Sequence, residues 1–317
     1  MALSPRELAS LLSVSTNSVY KIIKSSNLAT TQSATNRKKL PPSTVKELLS
    51  KRGLQFKSKI YALEGLKGGI GKTTLSIAIA EGAARYGTRT LVVDLDMQGN
   101  LTEYFSNEIP PKNVLVHVVK GSVKLEDIIC SHSEFLDFIP SSLDNSRLEL
   151  ELNKAINYKT FLKEMFLPII DRYDLIILDC PPTLSKITTL ATCAADCVLI
   201  PINADRDSMS GLYYQLDEIN NLKKTFDIDT DYKIIWNKFD AREKLSSHYM
   251  QEIYTSSSTR DNILPMVMRT DSTYKNAKAL KQSLFSMKKS SAKEDSEQLV
   301  KEILGINSWL KQSLSSS

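Results

Sequence analysis

The sequence predicts an α/β protein with a doubly wound, mostly parallel sheet, preceded by a small N-terminal winged helix-turn-helix domain. Apolar strand-like runs alternate with helical patterns from about residue 60 onward, which is the order that gives parallel sheets. A glycine-rich loop follows the first of these strands. The charge is also divided, because residues 1–60 carry eleven Lys or Arg against two Glu, within a total of +5. We therefore expect two domains, residues 1–55 and 58–317, with a basic head that meets nucleic acid.

The composition excludes several protein classes. The 317 residues are 42% hydrophobic and 24% charged, as is usual for globular proteins. No apolar run approaches the ~20 residues that cross a bilayer, and the N-terminus lacks the apolar core of a signal peptide. Four cysteines without a short secreted context indicate reduced thiols. We expect a cytoplasmic protein.

The first 55 residues are predicted to form three helices. The run Ser4-Pro5-Arg6-Glu7 has a capping serine, a proline in the first turn and a glutamate three residues after the cap. A second helix follows from Thr16, and we expect Ser43-Thr44 to cap the third. In a helix-turn-helix the second helix enters the major groove. Its outward polar residues are the predicted DNA contacts: Asn17, Ser18 and Lys21.

A polar segment from residue 30 to 42 separates the second and third helices. It carries Arg37, Lys38 and Lys39, which suits a wing that grips phosphates without reading sequence. The alternative is a small helical dimerisation module whose lysines are only solvated. Polar residues on the second helix do not by themselves name a DNA site.

The glycine-rich loop reads Lys67-Gly68-Gly69-Ile70-Gly71-Lys72-Thr73-Thr74 and lies between a predicted strand and helix. Glycines let backbone N–H groups converge on phosphates, and the helix adds its positive N-terminal end. Lys72 would reach the β- and γ-phosphates, and the Thr73 hydroxyl would complete a Mg²⁺ shell. The sequence thus predicts a nucleotide site here; the alternative is a turn that binds nothing.

Two further strand-like runs end on acids. The run Thr90-Leu91-Val92-Val93-Asp94 continues to Asp96, and the run from Tyr173 closes on Asp179. Ligands of parallel sheets bind at the carboxyl ends of the strands, so these carboxylates are placed to serve the loop. Asp179 would hold Mg²⁺ through water. A strand ending in solvated aspartates is the alternative for the first run.

These signatures, in this order, resemble the deviant Walker A group of P-loop ATPases that includes ParA and MinD. The group is marked by a second lysine ahead of the glycines, here Lys67. Leu66 stands where the strict P-loop has its first glycine, and Met97 replaces the usual proline of the second signature. The resemblance covers roughly residues 58–285 and implies an ATPase that uses ATP and Mg²⁺.

The resemblance also implies residue roles. Lys67 would cross a dimer interface to the partner's nucleotide, and Asp96 would orient the attacking water. Asp94 would support the Mg²⁺ region. Asn237, at the end of a later predicted strand, would contact adenine, although an asparagine that caps the following helix fits the sequence nearly as well.

The function implied is that of a partition ATPase associated with the nucleoid. It would dimerise on ATP, bind DNA nonspecifically as a dimer, and hydrolyse ATP slowly when a ParB-type centromere-binding partner engages it. The head would bind an operator or centromere site and could make the protein its own repressor. Basic residues in the later segments are candidates for nonspecific DNA contacts, unless they are merely solvated: Arg242, Arg260, Arg269, Lys275 and Lys278.

Three other functions were weighed on the same residues. A MinD-like membrane-cycling ATPase would need a membrane-binding tail, but the helical pattern from Glu297 to Leu314 has few lysines and is broken by Gly305. We expect that tail to pack on the body, with no membrane partner. A transcription regulator with a nucleotide-sensing fold is the second alternative. An iron–sulfur reductase is disfavoured because Cys193 and Cys197 do not supply a cluster's thiolates.

Overall fold

The computed structural model describes residues 2–32, 36–106, 110–152 and 157–315. The N-terminal part consists of three helices and a two-stranded antiparallel ribbon. These elements are α1 (Pro5–Leu11), α2 (Thr16–Ser25), β1 (Thr31–Gln32), β2 (Lys38–Lys39) and α3 (Pro42–Lys51).

The helix starts in this part follow from local chemistry. The predicted capping box of α1 is confirmed, since the Glu7 N–H donates to Ser4 Oγ at 3.2 Å and the Ser4 N–H donates to Glu7 Oε2 at 2.8 Å. The predicted cap of α3 is wrong. That helix begins at Pro42, with Pro41 as N-cap, because proline's fixed φ favours a first helical turn. The Thr44 hydroxyl instead donates to the Ala29 carbonyl.

The body is built on an eight-stranded sheet. Its strands are β3 (Lys59–Leu63), β4 (Thr90–Asp94), β5 (Cys130–Ser133), β6 (Leu136–Ile139), β7 (Leu175–Asp179), β8 (Cys197–Ile202), β9 (Asp231–Phe239) and β10 (Ile263–Arg269). Their spatial order is β10-β9-β8-β3-β7-β4-β6-β5, and every pairing is parallel except that of β5 with β6. The central strands β4, β7 and β8 are buried throughout, as expected of parallel strands covered on both faces.

Helices cover both faces of this sheet. They are α4 (Lys72–Arg85), α5 (Asn100–Phe105), α6 (Leu115–Val119), α7 (Leu148–Glu151), α8 (Phe161–Phe166), α9 (Lys186–Ala194), α10 (Arg206–Phe226), α11 (Lys244–Thr255), α12 (Thr273–Ala279), α13 (Ser291–Ile303) and α14 (Ile306–Ser315). The helix α4 packs closely on α13. A Cβ added at Gly82 of α4 would lie only 2.5 Å from Val300 Cγ2 of α13, which is too close for a side chain. The predicted mostly parallel, doubly wound sheet is confirmed.

The C-terminal segment packs on the body as predicted. Gly305, with φ +68°, separates α13 from α14. Leu299 and Ile306 are fully buried, and the Tyr61 hydroxyl donates to the Ile303 carbonyl at 3.1 Å. None of the helices that the structure describes has the length and apolar character to span a bilayer.

The N-terminal part contacts the body at several places, among them two ion pairs. Arg85, at the end of α4, donates from Nη2 to Glu7 Oε1 at 2.7 Å, and its side chain is only 3% exposed. Lys46 of α3 pairs with Asp174 at 2.7 Å. Removing one partner of a buried ion pair costs about 3–5 kcal/mol of stability. Side-chain contacts, in addition to the connecting chain, therefore hold the two parts together. Their division into two domains stays a prediction.

Candidate nucleotide site

The loop predicted to hold phosphates lies between β3 and α4. Gly71 is the N-cap of α4 and has φ +101°, a left-handed conformation that favours glycine. A side chain at Gly71 would also collide with Asn237. Gly68 and Gly69, in contrast, face open space, because an added Cβ at either would meet no heavy atom within 4 Å. One side of the loop is therefore packed, and the other is open to a ligand.

Lys72 lies at the centre of the loop. Its side chain is buried, with the residue 7% exposed, and its Nζ donates to the Gly65 carbonyl at 3.0 Å and the Lys67 carbonyl at 3.5 Å. Burial lowers the pKa of this lysine, and the nearby Asp179 carboxylate opposes the shift. The ammonium is thus held by loop carbonyls, at a position where phosphate oxygens of a ligand could replace these carbonyls as hydrogen-bond acceptors.

Asp179 ends β7 directly beside the loop. Ser76 Oγ donates to its Oδ1 at 2.8 Å, whereas its Oδ2 is buried and has no hydrogen-bond partner within the described residues by distance and angle. Burial raises the pKa of Asp179 to about 6, against hydrogen bonding from Thr73 and Ser76 that lowers it. The Thr73 side chain therefore lies beside this carboxylate.

This arrangement fits Mg²⁺. The ion usually keeps several waters and binds through one or two carboxylates together with substrate phosphates. An unpartnered buried carboxylate oxygen at Asp179, with the Thr73 hydroxyl beside it, is such a place. Across the ranges that the structure describes, no group of three or more His, Cys, Asp or Glu could enclose a metal on its own.

Asp94 has a different role from the one predicted. It pairs in register with Asp179 and is fully buried. Its Oδ2 accepts from the Thr102 N–H at 2.9 Å and the Thr102 hydroxyl at 2.7 Å, and its Oδ1 accepts from the Asp96 N–H at 3.2 Å. Through these bonds Asp94 positions the segment that carries Asp96. Its support of the Mg²⁺ region stays a prediction.

Asp96 lies on the open side of the same sheet edge. Its carboxylate is close enough to raise the pKa of Lys72 and that of Asp179. Asp96 Oδ1 accepts from the Gln98 N–H at 3.0 Å, which fixes the turn into α5. Met97, which replaces the family's proline, is 42% exposed and takes no part in the site.

Lys67 is held within its own chain. Its Nζ lies 2.6 Å from Asp205 Oδ1 and 4.0 Å from Asp207 Oδ2, and the side chain is 34% exposed. Asp205 Oδ1 also accepts from the Ser208 N–H at 2.8 Å and so caps α10. The sequence analysis missed Asp205, although an acid ahead of a long helical pattern is a cap signal.

Asn237 and its neighbour support the loop from β9. Asn237 Nδ2 donates to the Ile70 carbonyl at 2.6 Å, and Lys238 Nζ donates to the Gly69 carbonyl at 2.6 Å. Asn237 is buried, and the next helix begins only at Lys244. The structure corrects the interpretation of Asn237 as a helix cap, because its amide braces the phosphate loop and α11 begins further along the chain. The contact of Asn237 with adenine stays a prediction.

Glu64 is a buried carboxylate that the sequence analysis did not single out. It follows β3 and is 1% exposed. Its Oε1 accepts from Thr192 Oγ1 at 2.8 Å, and its Oε2 accepts from Gln215 Nε2 at 2.6 Å. These bonds tie the start of the loop to α9 and α10. Burial raises the pKa of Glu64 to about 7.

This carboxylate predicts a pH dependence of stability. Glu64 binds its proton more tightly in the folded chain than in the unfolded one. The free energy of unfolding that it contributes therefore falls as pH rises from about 4.5 to 7. Glu64→Gln should match the parent at pH 5 and exceed it at pH 8 by on the order of 1–3 kcal/mol. Urea unfolding at both values measures this; a difference that is equal at both values would contradict it.

The predicted DNA contacts differ in their surroundings. Asn17 and Lys21 are exposed on α2, and Arg37 and Lys38 are exposed at the ribbon, where Lys39 is half-buried. Ser18 is engaged at the start of its own helix, where its N–H donates to Ser15 Oγ at 3.0 Å.

The candidate DNA contacts in the body also differ in their surroundings. Lys275 is exposed on α12. Arg242 is 90% exposed but paired with Asp240 at 2.5 Å, and Arg260 lies 3.5 Å from Asp261. Arg269 contacts Asp295 through Nε and Nη2, the shortest distance being 2.6 Å, and so joins β10 to α13. Arg269 thus has a structural contact, and its role in nonspecific DNA binding stays a prediction.

The cysteines give no sign of a cluster. No disulfide links the described cysteines, and Cys180, Cys193 and Cys197 are buried. Burial raises the pKa of Cys193 to about 11 and that of Cys197 to about 12, so both thiols stay protonated.

The body of the chain is similar in sequence to known proteins. A family profile described as "AAA domain" matches residues 58–234, more than half of the chain. The sporulation initiation inhibitor protein Soj of Bacillus subtilis is 31% identical over 216 residues, covering 67% of this chain and 85% of Soj. The chromosome partitioning protein ParA of Myxococcus xanthus is 29% identical over 225 residues, covering 69% of this chain and 79% of that protein.

A solved structure supports the fold. The ATP complex of a McdA variant from Cyanothece superposes with a TM-score of 0.71 at 24% identity, covering 79% of this chain and 98% of that one. Three findings together identify the family. They are the strand–loop–helix with its two lysines, the carboxylates at the adjoining strand ends, and the extent of these matches. The chain belongs to the ParA-type family of P-loop partition ATPases.

Proposed function

We propose that this chain binds ATP with Mg²⁺ at the loop from Lys67 to Thr74 and hydrolyses it to control its hold on DNA during partition. One observation carries the proposal. The Lys72 ammonium lies among loop carbonyls, beside the Asp179 carboxylate, whose Oδ2 has no hydrogen-bond partner in the described part of the chain. A cation and an unsatisfied acceptor at the start of a helix are what a magnesium–triphosphate complex requires.

The side chains divide the work of phosphoryl transfer. Thr73 and Asp179 would hold Mg²⁺, which would supply positive charge against the negative charge that develops in the reaction. Lys72 would add its own positive charge at the phosphates. Asp96, on the open side of the loop, would orient the attacking water. Asn237 and Lys238 keep the loop in shape through the Ile70 and Gly69 carbonyls.

Two copies would enclose the nucleotides. Lys67 would leave Asp205 and contact the nucleotide of the partner subunit, so that dimerisation follows ATP binding. A centromere-binding protein of the ParB type would then stimulate a slow hydrolysis. The partition relatives support this part of the proposal through their family membership.

The N-terminal part would bind DNA as a winged helix-turn-helix. The helix α2 presents exposed Asn17 and Lys21, and the antiparallel ribbon presents exposed Arg37 and Lys38. A specific operator or centromere would lie on α2, which would allow the protein to repress its own synthesis. Exposed Lys275 and Arg242 would add nonspecific contacts to phosphates from the body, whose strength falls with salt.

Hydrolysis tests this proposal through Asp96. Asp96→Ala should keep ATP affinity within a few fold but slow phosphate release at least about tenfold, since a water-orienting group contributes about 10²–10⁴-fold. Phosphate release is measured with ATP, Mg²⁺ and duplex DNA, and nucleotide binding by calorimetry. Asp144→Ala, an exposed site away from the loop, is the matched control. Unchanged hydrolysis in Asp96→Ala would refute the catalytic assignment. Slowed hydrolysis with unchanged function in the cell would favour a nucleotide-sensing regulator.

A further inference from the structure

A groove of about 1350 Å³ lies between the N-terminal helices and the body. One wall is formed by α1, the first turns of α2 and the ribbon strand β2. The other wall is formed by the end of α4 and the segment from residue 283 to 297. The groove is open to solvent along the side where α2 and the ribbon are exposed.

The walls of this groove are strongly basic. Among its described lining residues, seven Lys or Arg face three Glu. The N-terminal wall contributes Arg6, Arg37, Lys38 and Lys39, and the body wall contributes Arg85, Lys289 and Lys293. Both walls therefore carry cations, but with their Glu counted the N-terminal wall keeps three excess positive charges and the body wall one.

The three acids are already paired. Glu7 contacts Arg85 at 2.7 Å and Lys293 at 3.2 Å. Glu297 lies 3.5 Å from Arg85. Glu294 is shared between Lys289 at 3.1 Å and Arg269 at 3.4 Å. Because each carboxylate is committed to a cation of the groove or its rim, the excess charge of the walls stays positive, which suits a polyanion.

The basic residues of the body wall are not equivalent. Arg85 is 3% exposed and lies at the floor, where Glu7 and Glu297 hold it. Lys293 is 19% exposed and also bonds the Phe285 carbonyl. Lys289 is 86% exposed, and its ammonium pairs with Glu294 on the solvent-facing side. An exposed pair of this kind adds little stability, so Lys289 can exchange Glu294 for another anion.

The groove adjoins the surface assigned above to DNA. Thr16 and Tyr20 of α2 line it, and Tyr20 is 46% exposed. Asn17 and Lys21 are exposed on the same helix. A duplex lying on α2 and the ribbon would bring one phosphate strand along Lys38 to the mouth of the groove, opposite Lys289.

We propose that Lys289 is a phosphate contact, so that the head and the body grip the same DNA across this groove. The proposal rests on the DNA-binding role proposed for the head and extends it, because it places part of that DNA site on the ATPase body. The body then takes part in DNA recognition without a second subunit.

Lys289→Gln tests this in the full chain, with Lys288→Gln as the matched control, because Lys288 is exposed and adjacent but does not line the groove. The probe is a labelled 30-base-pair duplex of random sequence, bound without nucleotide at several salt concentrations and followed by fluorescence anisotropy. Lys289→Gln should weaken binding about 3–10-fold near 100 mM salt. It should also reduce the slope of log K against log salt by about 0.9, the value for one phosphate contact. Lys288→Gln should change both by much less.

A third variant separates failure of this inference from failure of the proposed function. If Lys38→Gln weakens binding but Lys289→Gln behaves like Lys288→Gln, the head binds DNA and the shared groove is wrong. If neither variant has an effect, the DNA-binding role of the head is itself wrong. If only Lys289→Gln has an effect, DNA lies on the body alone and the shared groove is again wrong.

A competition arm distinguishes DNA from an acidic protein. Polyglutamate of matched charge should displace the duplex poorly, since it lacks the regular phosphate spacing of a duplex. Displacement as effective as that by unlabelled duplex, and equally sensitive to Lys289→Gln, would identify an acidic protein segment as the occupant and overturn the proposal.

Discussion

Lys72→Ala is expected to abolish ATP binding at accessible concentrations. The ammonium is the buried cation of the loop, and removing a buried charge from its ionic partner costs about 3–5 kcal/mol, which corresponds to a loss of at least roughly a hundredfold in affinity. Titration calorimetry with ATP and Mg²⁺ measures this. The same variant should not lose thermal stability, because burial disfavours the charged lysine in the chain without nucleotide.

Lys59→Ala is the control for this result. Lys59 is exposed at the other end of β3, so its removal changes the net charge by the same amount without touching the loop. ATP affinity should remain within twofold of the parent. If Lys72→Ala retained the affinity of Lys59→Ala, the loop would not be the nucleotide site.

Lys67→Ala is expected to prevent ATP-dependent dimers while leaving binding of ATP to the single chain nearly intact. In the structure Lys67 contacts Asp205 and not the open side of the loop, so its removal leaves the carbonyl cradle around Lys72 unchanged. Sedimentation velocity with saturating ATP and Mg²⁺ should show one species of monomer size for the variant. A dimer fraction equal to that of the parent would show that Lys67 does not act across an interface.

Asp205→Asn provides a matched change on the other side of the ion pair. Asparagine still caps a helix as well as aspartate does, so α10 should keep its start. The Lys67 ammonium, however, loses its closest carboxylate partner. We expect dimers at lower ATP concentration than in the parent, whereas a purely structural role for Asp205 would lower dimer formation.

The parts of the site that the sequence predicted are those determined by neighbouring residues. Buried parallel strands are continuous apolar runs, and each of the runs that ends on Asp94 or Asp179 marks the edge where ligands bind. The loop residues from Lys67 to Thr74 adjoin one another along the chain. Gly305 likewise interrupts its helix through its own backbone conformation.

The parts that the sequence analysis missed depend on contacts between distant residues. Asn237 meets Ile70, and Glu64 meets Thr192 and Gln215, across 128 to 167 positions of the chain. An isolated asparagine or glutamate gives no signal of such a partner. The contact of Arg269 with Asp295 gave no signal for the same reason, since Asp295 lies in the next helical segment but one.

The two predicted domains contact each other closely, which the charge pattern did not indicate. The change from a basic head to an acidic body is a property of composition, but it says nothing of how the parts touch. Glu7 covers the buried Arg85, and Gly87 lies against the start of α3, where a side chain would collide with Pro42. Removing residues 1–55 would leave Arg85 without its closest carboxylate, so single substitutions at Lys38 or Lys289 are cleaner probes of DNA binding.

The central claim is that two chains enclose ATP with the loop that carries Lys67 and Lys72. Light scattering of the Asp96→Ala protein, chosen to prevent turnover, tests this most directly when the mass is measured with and without ATP and Mg²⁺. The account predicts the mass of one chain, 35.5 kDa, without nucleotide and twice that mass with it. A mass that stays the same in both conditions, in a protein that calorimetry shows to bind ATP, would contradict it.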